Sequence, residues 1–223
     1  GRGHVEGANM FADALKNHLI GLKISDKIND QIGIATAYNN IGNINYIQKN
    51  YSESLKSLFA ALEMRKKIGT RKDEATVYNN IANAYLAQGN YDESLKTHNI
   101  SLKICEELND IQGISASYSN IGSVYSSLGK LDEALVKFSS ALQIQEKIGD
   151  KFGAASSLNN MSSICVRQKR ITDAEAYLKK TIHISKEIGA KEYLKDAYHT
   201  FAELDSVKND FKSGPTYSIK YKN

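Results

Sequence analysis

Apolar and polar positions recur along this chain with two superposed periods. The short one is helical: Leu131, Ala134, Leu135, Phe138, Ala141 and Leu142 follow an i, i+3, i+4, i+7 stripe. The long one is forty residues: Tyr38, Tyr78 and Tyr118 hold one phase, continued by Leu158 and Tyr198, and Asn40, Asn80, Asn120 and Asn160 hold another. The stretch 116–142 is the best-formed copy. Self-similarity at a fixed period signals a stacked array, because one unit cannot bury its apolar face alone. The pattern predicts first helices over 32–48, 72–88, 112–128, 152–168 and 192–208, and second helices over 51–68, 91–108, 131–148 and 171–188.

The punctuation between these elements has a physical basis. Asn29, Gly69, Asn109, Gly149 and Gly189 fall where second helices should end, and Gly and Asn enter the left-handed C-cap conformation most cheaply. Asp30, Thr70, Asp110 and Asp150 follow as N-caps, whereas Ala190 predicts a less firmly capped last joint. The turns within each repeat are QKN, QGN, LGK and QKR, and Asn50 with Glu53 and Asn90 with Glu93 predict capping boxes there. Short connections make paired helices antiparallel neighbours.

The chain then divides into a lead over 1–10, the second helix of a truncated repeat over 11–30, and four repeats over 31–70, 71–110, 111–150 and 151–190. A degenerate terminal repeat or cap over 191–223 completes it. The lead carries Gly1, Gly3 and Gly7 and is expected to be frayed or artificial, since glycine costs roughly 1 kcal/mol in a helix interior. Gly214 and Pro215 predict a break or a helix restart near Pro215, because proline cannot donate within a helix.

Composition narrows the function classes. The chain has 223 residues, 41% apolar and 24% charged, which fits a folded chain. A net charge of +4 with dispersed basic residues gives no nucleic-acid track. Neither a spanning apolar run nor a signal peptide is visible, so no direct membrane insertion is expected. Two cysteines, Cys105 and Cys165, sit at helical phases expected to be buried and make no disulfide framework. The five histidines show no metal-ligand spacing. His18 and His98 share a repeat position usually held by an aromatic and are expected to pack as such. No phosphate-binding loop, nucleophile pair or acid–base cluster is found, so no cofactor and no enzyme are predicted.

The residues resemble the tetratricopeptide repeat (TPR). Tyr118, Ile121, Gly122, Tyr125, Ala134, Phe138 and Ala141 carry its large–small pattern in the third repeat. The first repeat has Tyr38, Ile41, Gly42, Leu58 and Ala61, the second Tyr78, Ile81, Ala82 and Tyr85, and the fourth Met161, Ala174 and Leu178. The usual unit has 34 residues and ends in proline. The forty-residue unit without that proline is similar to the long-repeat subclass of Pins/LGN polarity adaptors and Bacteroidetes-type sensory regions. The resemblance implies an all-α, right-handed superhelix of antiparallel helix pairs. Its concave face, lined by first helices, would bind a protein or peptide partner as the sensory or scaffold part of a signalling protein. The compartment is left open between cytoplasm and periplasm.

On that face the corresponding positions are Asn39, Asn40, Asn43, Tyr46, Asn79, Asn80 and Asn83. They continue as Ser119, Asn120, Ser123, Asn159, Asn160, Arg167 and His199. Asn offers two donors and an acceptor, which suits pairing with a peptide backbone. The alternative role for the same Asn column is to brace the neighbouring repeat. The family's carboxylate clamp needs Lys or Arg where this chain has Asn and Ser, so capture of an acidic C-terminus is not expected. Asp196, His199 and Glu203 favour a basic group near the last repeat. A second expectation is self-association through the terminal helices, giving a possible homodimer, because terminal repeats need polar caps.

Overall fold

Every joint among the described residues closes the same way. A residue with φ between 52° and 82° ends each helix from α1 to α9: Asn29, Lys49, Gly69, Gly89, Asn109, Gly129, Gly149, Lys169 and Gly189. The next backbone N–H donates to the carbonyl five residues earlier, as Asn50 does to Asn45 (2.8 Å) and Ala190 to Ser185 (2.9 Å). This motif satisfies carbonyls that the helix leaves open and reverses the chain in two residues.

The computed structural model describes residues 2–207, with side chains from residue 11. The helices are α1 (Arg2–Lys27), α2 (Gln31–Ile47), α3 (Tyr51–Ile68), α4 (Arg71–Ala87), α5 (Tyr91–Glu107), α6 (Ile111–Ser127), α7 (Leu131–Ile148), α8 (Lys151–Arg167), α9 (Ile171–Glu187) and α10 (Lys191–Val207). No strand occurs among the described residues. Two compact units follow, α1–α5 and α6–α10, dividing after Asp110. Within unit 1 each helix packs on the next, and the first helices α2 and α4 also touch. Unit 2 repeats this plan, with α6 on α8 and α8 on α10.

Several expectations are corrected. First helices begin one residue earlier than the pattern predicts, and α2, α4, α6 and α8 also end one residue earlier. Gly3 and Gly7 lie in the helical backbone of α1, so secondary structure does not set a frayed lead apart. A glycine's cost of about 1 kcal/mol is a weak prior that helix propagation overrides. The capping boxes do not form: neither Asn50 nor Asn90 caps with its side chain, at ψ 62° and 68°. Glu53 and Glu93 lie 3.8 and 3.7 Å from Lys56 and Lys96 instead. Asp30 and Asp150, at ψ 91° and 83°, do cap, accepting from the backbone N–H of Gly33 and Gly153. The break expected at Pro215, and the part of the terminal repeat or cap beyond residue 207, lie outside the described residues.

The core sits between the layers of each unit. Leu58, Ala61, Leu62, Val77 and Ile81 fill it in unit 1. Phe138, Leu158, Met161 and Ile164 form one cluster in unit 2, and Cys165, Leu178, Phe201 and Leu204 another. Burying each Val, Leu, Ile, Phe or Met among them contributes roughly 1.5–3 kcal/mol. Tyr38 and Tyr78 pack against the core of unit 1 from its edge. Tyr38, Tyr78 and Tyr118 are half-buried, because the phenol oxygen needs water or a partner. Close approach depends on small residues: a Cβ on Gly42 would stand 2.6 Å from Leu58 Cγ, and one on Gly122 would stand 3.1 Å from the Phe138 ring.

Lys49 and Lys169 hold left-handed backbone without glycine's freedom. Lys169→Gly is expected to raise unfolding stability by about 1 kcal/mol, and Gly129→Ala to lower it by about as much. Urea titration followed by circular dichroism reads both. Equal midpoints for the two variants would contradict this account of the joints.

Candidate functional site

The first helices bring their inward columns together within each unit. In unit 1, α2 and α4 present Asn39, Asn40, Asn43, Asn79, Asn80 and Asn83, all half-buried. Tyr46 lies exposed at the end of α2, its ring centroid 5.9 Å from that of Tyr51. In unit 2, α6 and α8 present Ser119, Asn120, Ser123, Asn159 and Asn160, again half-buried. Arg167 and His199 are exposed.

Part of this set braces the stack. Asn80 Nδ2 donates to Asn39 Oδ1 across two first helices (2.9 Å). Gln145, buried on α7, donates to Ser119 Oγ (3.4 Å) and accepts from Ser157 Oγ (2.8 Å), tying α6, α7 and α8. Arg65, also buried, plays that part in unit 1: Nη2 donates to Thr36 Oγ1 (2.7 Å), and Nη1 pairs with Asp73 (2.9 Å). At the next equivalent position in unit 2, Ser185 is too short to reach across. Ser185 Oγ and Asn159 Oδ1 are left buried with no hydrogen-bond partner. These clasps escaped the sequence reading. Their signal was the second-helix column Arg65, Cys105, Gln145 and Ser185, polar at three of four copies in a buried phase.

The remainder is open. Asn40, Asn43, Asn83, Asn120 and Asn160 make no side-chain hydrogen bond with described residues, although their backbones are locked in helices. Ser123 Oγ is turned back onto the Ser119 carbonyl (3.1 Å). Arg167 Nη1 donates to Ser126 Oγ (3.1 Å), while His199 Nδ1 lies 3.4 Å from Glu203. An amide held on a rigid helix with both polar ends unengaged can accept and donate to an incoming backbone at little ordering cost.

Candidate chemistry elsewhere resolves into structure. Cys105 and Cys165 are buried and not joined in a disulfide, and burial raises the Cys165 pKa, which keeps it protonated and unreactive. No group of three His, Cys, Asp or Glu among the described residues is placed to hold a metal. No described helix is long and apolar enough to cross a membrane. His98 is fully buried where Leu58, Phe138 and Leu178 stand in other repeats, and His18 is half-buried. The His98 Nδ1 meets Asn79 Oδ1 at 2.9 Å, and its Nε2 has no partner. Desolvation pushes its pKa down to about 4.

A family model described as tetratricopeptide repeat matches residues 33–107, 73–147 and 113–187. No curated protein sequence matches the chain. Among solved structures, BtubC (BKLC) from P. vanneervenii is similar with a TM-score of 0.82 at 13% identity, covering 95% of this chain and 89% of that one. A Rap protein complexed with Competence and Sporulation Factor gives 0.76 at 17%, covering 100% and 72%. NprR in complex with its cognate peptide NprX gives 0.67 at 21%, covering 89% of this chain and 58% of NprR.

The buried His98 makes stability depend on pH. Its folded pKa lies below the ordinary value, so the unfolded chain takes up the proton first as pH falls. Stability is complete above about 6.5 and declines toward 4. Wild type is expected to lose on the order of 2 kcal/mol more than His98→Leu between pH 7 and pH 5. Parallel pH profiles from urea unfolding would contradict a neutral buried imidazole.

Proposed function

The chain belongs to the tetratricopeptide repeat family, and from that premise we propose a non-catalytic protein-interaction module. It holds a peptide segment of a partner against the first-helix faces, as the sensory or scaffold part of a larger signalling protein. The observation carrying this reading is that Asn40, Asn43, Asn83, Asn120 and Asn160 are rigidly displayed and unengaged, while Asn80 is consumed by Asn39. Solved relatives of the same fold with bound peptide or factor, the NprR and Rap complexes, support it. The polar, uncharged column suits backbone amides, and Glu203 beside His199 suits a basic group.

The test begins by panning random displayed dodecapeptides on the protein. Recovered peptides are expected to bind Asn120→Ala/Asn160→Ala at least tenfold more weakly, with unfolding temperature unchanged. Asn80→Ala is expected to cost about 1 kcal/mol of stability, because Asn39 loses its donor. Undiminished affinity in the double variant would sink the reading.

A second reading, self-association, is favoured by α1. Ile24 is 54% exposed, whereas its counterpart Ile104 is 2% exposed, and Leu19, Ile20 and Ile28 are exposed beside it. Sedimentation velocity at rising concentration is expected to show dimer that Ile24→Glu removes. A single species at every concentration would eliminate this alternative.

A further inference from the structure

Unit 2 carries a concavity on the side of its second helices. The backbones of α7 and α9 stand apart over α8. Between them lies a cavity of about 340 Å³, a size that accommodates a side chain with flanking backbone. Buried Met161 of α8 contributes to its lining. Leu135, Val136 and Ser139 come from α7, and Tyr177 from α9. Val136 is 62% exposed. Ser140 also lines the cavity and turns its hydroxyl back onto the Val136 carbonyl (3.1 Å), and Gln143 and Arg170 make the rest of the lining polar around the apolar groups.

The repeat shows how this notch arises. Where α7 has Val136, Ser139, Ser140 and Gln143, α3 has Lys56, Phe59, Ala60 and Glu63, and α5 has Lys96, Asn99, Ile100 and Lys103. Charge is thus removed and bulk reduced at this one outward face. α9 goes the other way, with Lys179, Lys180 and His183 at three of those positions. Lys180 lies three residues from Tyr177, on the same helix face. It has no carboxylate within ion-pair distance among the described residues, whereas Lys179 lies 3.8 Å from Glu175. Arg170, at the cavity edge, is already held by Asp173 at 2.7 and 2.8 Å. A notch with Met161, Leu135 and Val136 as its apolar part therefore lies beside one positive charge, Lys180, for which the described residues supply no carboxylate.

We propose that the α7–α9 notch docks an acidic segment of a partner protein that inserts one apolar side chain over Met161. Charge complementarity selects the segment, and the anchor supplies the buried contact. This surface is independent of the first-helix columns, so either can fail without the other.

The probe is a fluorescein-labelled synthetic peptide with one Phe between runs of Glu. Two controls carry Ser for Phe or Lys for Glu. Binding is read by polarisation, and its location by amide shifts in NMR spectra of the full chain. The Phe/Glu peptide is expected to bind at least tenfold more tightly than either control, with shifts at Val136, Ser139 and Tyr177. Val136→Lys, which restores the residue type of α3 and α5 at an exposed site, and Lys180→Glu should each weaken it at least fivefold while circular dichroism is unchanged. No binding, equal binding of the Ser control, or shifts centred on Asn120 and Asn160 would overturn the proposal. Self-association abolished by Val136→Lys would overturn it too, by assigning the notch to a second copy.

Discussion

The structure depends on one backbone manoeuvre: a residue in the left-handed region followed by an N–H that reaches back five residues. Because all nine joints among the described residues use it, each of those helices ends on the same backbone turn. Side chains separated by forty residues therefore occupy equivalent places. The columns of Asn, of small residues and of large core residues exist as columns only because the joints are alike. Packing at Gly42 on Leu58 and Gly122 on Phe138 then sets how closely each pair approaches.

The architecture was legible where residue chemistry and backbone demand coincide. Asn29, Gly69, Asn109, Gly149 and Gly189 announced the joints between repeats, because few other residues tolerate that φ. Lys49 and Lys169 gave no such signal, since lysine carries no preference for the left-handed region and is held there by the closure around it. The capping boxes were misread for a related reason. The residue types at Asn50 and Glu53 fit, but a ψ of 62° swings the side chain away, and sequence does not report ψ.

The candidate site was legible in its phase and obscure in its connections. The Asn column falls on first helices as the forty-residue period requires. Which amides are spent on bracing depends on partners far along the chain, as with Asn39 and Asn80 or Asn79 and His98. The α7–α9 notch illustrates a different blindness: it is written as missing bulk and missing charge, and periodicity analysis weighs what is present.

Arg65 and Gln145 each join three successive helices through polar contacts inside a packed interface. In a stack whose elements touch only neighbours, cooperativity is set interface by interface. A clasp spanning two interfaces makes them open together, so α2–α4 and α6–α8 each behave as one melting block. Ser185 makes no such clasp, so at that position the tie between α8, α9 and α10 passes to the buried side chains of Leu178, Ala197, Phe201 and Leu204.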